Sequence, residues 1–208
     1  MKTMRRYDLA LLALSVVTYL IFSFLIDERV ISSFWRLQIV LMCINVILAA
    51  SLNLINGITG QFSLGHAGFM AVGAYVSAVM TMWYDLPFGL ALLIGGLAAA
   101  FIGIIIGIPT LRLDGDYLAI ATLGMGEIIR ITILNIPAVG GASGLTGIPR
   151  LTDFTWVFVA MIITLFFIKN MVNSTFGRSC ISVRENAIAA TAMGINTTSA
   201  QVLAFAVG

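Results

Sequence analysis

The sequence has 208 residues, 60% of them hydrophobic and 10% charged, with a mean hydropathy of +1.07. Water-soluble domains carry about 25% charged residues, so this composition excludes a soluble globular domain. A net charge of +2, spread over scattered basic residues, excludes a nucleic-acid-binding surface.

In chain order, the N-terminus is basic (Lys2, Arg5, Arg6) and leads into the apolar run 9–26. Its exit, Ser23 to Arg29, lacks the small-x-small pattern of a cleaved leader, so it reads as a first membrane span. Crossing roughly 30 Å of hydrocarbon takes roughly 20 apolar residues as a helix. Further spans are expected at 37–55, 67–83, 88–111, 117–136 and 154–171, making an all-α integral membrane bundle. A last apolar run from Ala200 stops at Gly208, too short to cross, so the bundle reads as one cut short at its C-terminus. With the N-terminus in the cytoplasm, the inner side holds Lys2, Arg5, Arg6, Arg112, Lys169, Arg178 and Arg184. The outer side holds only Arg29, Arg36 and Arg150, as the positive-inside bias requires.

Cys43 sits in an apolar run and Cys180 in a polar stretch, which reads as a small core residue and a free thiol rather than a disulfide. In the run 88–111, Gly89, Gly96, Ala100, Gly103 and Gly107 recur at three-, four- and seven-residue spacings on one helix face. Small residues let a neighbouring helix approach closely where lipid gives no hydrophobic drive.

Two glycine-rich stretches interrupt the helical pattern, 56–68 and 139–149. Irregular backbone at a membrane must be buried in protein or face water, and transporters use broken helices to present polar groups to solutes. Gln61, Ser63 and His66 in the first stretch are candidates to line a solute path; a plain connecting loop is the competing reading. Glu127 and Arg130 lie three apart within the span 117–136. They either pair with each other or join that path, where they would meet the two charges of a zwitterion.

The polar segment 173–199 suggests a short helix from Arg184 to Met193, ended by Gly194. Its small side chains offer a smooth face to a partner's groove; an amphipathic helix lying at the membrane surface is the competing reading.

No phosphate-binding loop is possible, because neither Lys2 nor Lys169 follows a glycine. One histidine and two distant cysteines leave no zinc site. Gly141-Ala-Ser143-Gly144 matches the Gly-x-Ser-Gly of rhomboid-like intramembrane proteases. It lies in a loop, however, and His66 precedes the serine, whereas those enzymes place the base after it.

Three blocks resemble permease subunits of branched-chain amino acid ABC importers of the LivM type. The first runs from Ser51-Leu-Asn-Leu-Ile-Asn-Gly57 through Gly60-Gln-Phe-Ser-Leu-Gly-His-Ala-Gly-Phe to Gly73-Ala-Tyr75. The second runs from Arg112-Leu-Asp-Gly-Asp-Tyr to Gly126-Glu-Ile-Ile-Arg130, with Gly144-Leu-Thr-Gly-Ile-Pro149 after it. The third comprises Gly177-Arg178, Arg184-Glu-Asn186, Ile188-Ala-Ala190 and Met193-Gly-Ile-Asn196.

The resemblance covers most of the chain after Leu37 and implies a permease in a bacterial cytoplasmic membrane. Its partners would be a second permease, two cytosolic ATPase subunits and an external solute-binding protein. Leucine, isoleucine and valine would be the solutes. The chain itself would bind no cofactor and do no covalent chemistry, with ATP used by the partner subunits. The third block would be the ATPase-coupling loop, carried by Gly177, Arg178, Arg184, Glu185, Asn186, Ala189, Ala190, Met193 and Gly194. Ile188 stands where the general Glu-Ala-Ala-x-x-x-Gly form has its acid, which removes a glutamate-mediated contact. The same pattern would also serve urea or a short amide, and a gradient-driven carrier is the alternative from another class.

Overall fold

A computed structural model describes residues 2–28, 31–111, 113 and 115–208, with backbone only for 2–9 and 27. The side chains of Lys2, Arg5 and Arg6, and residues Arg29 and Arg112, therefore lie outside the described residues.

Nine α-helices are formed by the described residues: α1 Lys2–Asp27, α2 Ser33–Asn53, α3 His66–Trp83, α4 Phe88–Thr110, α5 Asp116–Leu134, α6 Phe154–Asn173, α7 Thr175–Glu185, α8 Ala187–Ala192 and α9 Thr197–Val207. A π-helical turn, Leu54–Ile58, continues α2, and two short 3₁₀ turns, Pro137–Val139 and Gly141–Ser143, follow α5. Among the described residues, four helices are long and apolar enough to cross a membrane: Ser33–Ile58, α4, α5 and α6. Shorter apolar helices cover Ala10–Ile26 and Thr197–Val207. Large apolar side chains such as Leu97, Phe101, Ile120 and Ile163 are exposed, the arrangement expected where the solvent is lipid.

The chain folds as two compact units. The first comprises residues 1–50 and 152–169, with Cys43, Phe154, Val157 and Phe158 at its core. Tyr19 stacks on Phe154 with centroids 6.1 Å apart, and its hydroxyl lies 3.1 Å from Thr155 Oγ1. Arg36 and Asp153 pair at 3.1 Å, joining the start of α2 to the approach to α6.

The second unit comprises residues 51–151 and 170–208. Glycines set how closely its helices approach. A methyl group built on Gly95 would lie 2.5 Å from the Gly73 carbonyl oxygen, and one on Gly107 would lie 3.3 Å from Phe205 Cδ1. The close seam of α4 therefore runs through Gly95 towards α3, and through Gly103 and Gly107 towards α9. Gly96 has nothing within 4 Å, which corrects its expected place in the seam. One residue's shift turns a side chain by about 100° around a helix, enough to move it off a face.

The segment after α6 also departs from expectation. The anticipated helix Arg184–Met193 is divided, because Asn186 adopts an extended conformation (φ −160°, ψ 104°). Its Oδ1 accepts the Ala189 N–H at 2.9 Å, so Asn186 caps α8 and leaves Arg184 and Glu185 in the last turn of α7. Gly194, at φ +82°, ends α8 as expected. The Ile195 N–H reaches the Ala190 carbonyl and the Gly194 N–H reaches that of Thr191, closing a Schellman motif. Ala190 then packs with Cys180, Val183, Ala200 and Ala204.

Candidate functional site

The first glycine-rich stretch is a true helix break. The π turn gives the chain an i→i+5 bond, Thr59 N–H to the Leu54 carbonyl at 3.2 Å, and then releases it. Gly60, at φ +70°, turns the backbone. Residues 60–65 run without regular structure until α3 starts at His66. Side chains supply the partners that the lost helix no longer offers. Asn56 Oδ1 accepts the Ser63 N–H at 3.2 Å, and Thr122 Oγ1 of α5 accepts the Leu64 N–H at 3.1 Å. Thr59 Oγ1 donates to the Ile55 carbonyl at 2.6 Å. Ser51 Oγ lies 2.9 Å from His66 Nε2, joining α2 to the first residue of α3 across the break.

Within the extended stretch the side chains alternate. Gln61, Ser63 and Gly65 are buried, and Phe62 and Leu64 are exposed. Polar groups thus point into the protein and apolar groups outwards, the inversion expected of a chain solvated by lipid. Gln61 is 3% exposed and Ser63 2%. Both amide atoms of Gln61 and the Ser63 hydroxyl have no hydrogen-bond partner among the described residues. Each such group costs about 1–3 kcal/mol if it stays unpaired. Together they place donors and acceptors inside the break.

The break is pressed against α5. A methyl group on Gly65 would lie 2.3 Å from the Thr122 carbonyl oxygen, and one on Gly68 would lie 2.9 Å from Gly126 Cα. Ser51, Asn56 and Thr122 are site residues that sequence reasoning did not single out. Their signal is a hydroxyl or amide inside or beside an apolar span, where such groups need a partner.

The structure brings Gln61, Ser63 and His66 together in one short segment but places Glu127 and Arg130 elsewhere. The face of α5 towards the break carries Thr122, Gly126 and Ile129, while Glu127 and Arg130 are exposed. They hold each other in a two-point pair, with Arg130 Nε 2.9 Å and Nη2 2.6 Å from the Glu127 carboxylate. Neutralising one member strands the other on a spanning helix. Glu127→Gln and Arg130→Gln should each lower the yield of membrane-inserted protein, and the double change should recover it. A double-mutant cycle on yield and thermal stability checks this; additive losses would show that the two residues do not act as a pair.

The expected coupling residues lie on α7, α8 and the turn after them. Gly177 fits only as glycine, because a methyl group there would lie 2.1 Å from the Val172 carbonyl oxygen. Arg178 bonds Thr175 Oγ1 at 3.3 Å. Ala190 is buried, whereas Ile188 is 85% exposed and Met193 82% exposed. The outward surface of α8 is thus not smooth: two apolar side chains stand out from it. Burial raises the Cys180 thiol above its ordinary pKa, which leaves it poorly reactive. Ser143 is exposed on its 3₁₀ turn, and the one histidine of this sequence lies against Ser51.

The sequence matches the family described as "Branched-chain amino acid transport system / permease component" over residues 37–208. It is 34% identical to the high-affinity branched-chain amino acid transport system permease protein LivM of Escherichia coli, over an alignment of 202 positions covering 80% of this chain and 48% of that protein. The Salmonella typhimurium protein of the same name is 33% identical over 199 positions, covering 79% of this chain and 47% of the relative. A probable branched-chain amino acid transport permease protein LivM of Methanocaldococcus jannaschii is 28% identical over 131 positions, 57% of this chain and 38% of the relative. The chain therefore spans about half the length of the curated relatives it matches most extensively. No solved structure matches it. A helical fold without strands among the described residues, spans of membrane length, and a family match over most of the sequence make this a multi-pass membrane protein of the branched-chain amino acid transport permease family.

Proposed function

We propose that the chain is the membrane-spanning part of an ATP-driven importer that carries leucine, isoleucine and valine into the bacterial cytoplasm. The solute class rests on the printed names of the relatives. The path rests on one observation: a helix break that buries Gln61 and Ser63 with unmatched hydrogen-bonding groups. These groups offer both donors and acceptors, which suits an ammonium and a carboxylate passing together.

In this reading the N-terminus is cytoplasmic, and the break, the start of α3 and the segment α7–α8 all lie on the cytoplasmic side. The break is the inner end of the path. Cytosolic ATPase subunits dock on α8, with Ile188 and Met193 entering an apolar groove. An external binding protein delivers the solute, and a second permease completes the pore. ATP hydrolysis belongs to the partner subunits, and ATP-driven closure of the ATPases shifts the permease between inward- and outward-open states. Uptake of labelled leucine, valine and urea into vesicles holding the full-length assembly tests this. ATP-dependent leucine uptake that excess valine suppresses and urea does not is expected. Uptake of urea alone, or of leucine without ATP, would contradict the reading.

Docking through α8 has its own consequence. Ile188→Asp or Met193→Asp should abolish retention of the ATPase subunits on purification and lower uptake at least tenfold, while thermal stability stays unchanged because both side chains are exposed. Asn186→Ala should weaken retention less, since it removes one cap, about 1 kcal/mol.

A further inference from the structure

We propose that Arg184 is a latch between the cytosolic segment and the helix break, so that movement of α7 opens or closes the inner end of the solute path. This rests on the importer reading for its source of motion, but the contact itself does not.

The π turn leaves carbonyl groups without helical partners, because the chain turns away at Gly60. Arg184, 127 residues further on, supplies one: its Nη1 donates to the Gly57 carbonyl at 2.7 Å. A cation at the carbonyl end of a helix also meets the negative end of the helix dipole. The contact is more than one bond. A methyl group built on Gly60 would lie 2.5 Å from Arg184 Cγ and 3.3 Å from its Cβ, so the arginine stem lies against that glycine. Glu185 Oε1 holds the far side of the guanidinium, 3.0 Å from Nε and 2.5 Å from Nη2. Beside it, Ile58 of the π turn packs on the cluster of Cys180, Val183 and Ala190.

The last turn of α7 is thereby fastened to the residues on which the break pivots. Asn186, where the backbone changes direction into α8, follows two residues later. A displacement of α8 reaches Gly57 and Gly60 through two residues of chain and one side chain bonded to both Gly57 and Glu185. Gln61 and Ser63 come next in sequence. Arg184 is thus a positioning residue that acts on the solute path without touching solute.

The test uses the full-length permease assembled with its partner subunits in vesicles. The reporter is Ser63→Cys, with the rate of its modification by a small methanethiosulfonate as the readout. In otherwise native protein, this introduced thiol should react slowly without nucleotide. With Arg184→Ala added, its rate should rise at least fivefold without nucleotide; in protein with Ser63 intact, Arg184→Ala should lower leucine carried per ATP hydrolysed at least tenfold. Buried Cys43 and Cys180 should stay unreactive, which separates local unlatching from unfolding. Arg184→Lys keeps the stem and one donor, and should restore most of the protection. If alanine lowers the yield, Arg184→Met carries the same arms, since it keeps a stem over Gly60 but has no donor.

Unchanged reactivity of the reporter thiol, or Cys180 reacting in step with it, would overturn the latch. So would a lysine variant no better than alanine. A wild-type assembly that fails to couple ATP to uptake would instead overturn the importer reading, while the reactivity arm would still decide the latch.

Discussion

Gln61→Leu is expected to raise stability and destroy transport. Leucine is close to glutamine in volume, branches one carbon earlier and has no polar atoms, and the site it would fill is 3% exposed. Removing the orphaned amide relieves a cost of about 1–3 kcal/mol, so a melting temperature higher by a few degrees is expected in detergent. Leucine uptake should fall at least tenfold, because the substituted side chain offers a passing zwitterion neither donor nor acceptor. The opposite signs carry the information. A purely structural glutamine would lose stability and transport together, and an irrelevant one would change neither.

Gly65→Ala is expected to do the reverse to stability. Gly65 has φ −88° and ψ 5°, which alanine tolerates, so the backbone itself imposes no penalty. The effect is steric: the new methyl group would sit 2.3 Å from the Thr122 carbonyl oxygen, a backbone atom that cannot swing aside. Separating α3 from α5 by the needed distance also breaks the bond from the Leu64 N–H to Thr122 Oγ1. Overpacking costs about 1–3 kcal/mol, and the lost bond adds about 0.5–1.5 kcal/mol. Thermal melting and the yield of folded protein check this. A variant as stable as wild type would show that α3 and α5 do not pack this closely. Thr122→Val keeps the shape of the threonine and removes its hydroxyl, which accepts from the Leu64 N–H and donates to the Ala119 carbonyl at 3.0 Å, so it should show the bonding part of the loss without the overpacking.

Much of this is legible in the residues. Apolar runs of spanning length mark Ser33–Ile58, α4, α5 and α6, because a bilayer demands length and apolarity together. Crowded glycine and polar residues in 56–68 mark the break, since few other sequences leave a helix at membrane depth. The inward turn of Gln61 and Ser63 is visible in the alternation Gln-Phe-Ser-Leu-Gly once lipid is taken as the solvent. Asn186 is legible too: asparagine before Ala-Ile-Ala is a capping signal, and a helix run through it ignores that preference.

The rest depends on three-dimensional packing. Whether Gly95 or Gly96 meets α3 turns on helix rotation, which periodicity leaves open by one residue. Glu127 and Arg130 suit a zwitterion by their charge, yet they satisfy each other on the exposed side of α5. The Arg184–Gly57 bond joins residues 127 positions apart, and no local pattern announces it.

The central claim is that the break between α2 and α3 lines the route of an amino acid. Solute protection of Ser63→Cys in the full-length assembly tests this most directly, with modification followed during ATP-driven turnover. Leucine and valine should slow the reaction at least threefold and urea should leave it unchanged. A thiol at this position that never reacts in any state, or whose rate no solute alters, would contradict the account.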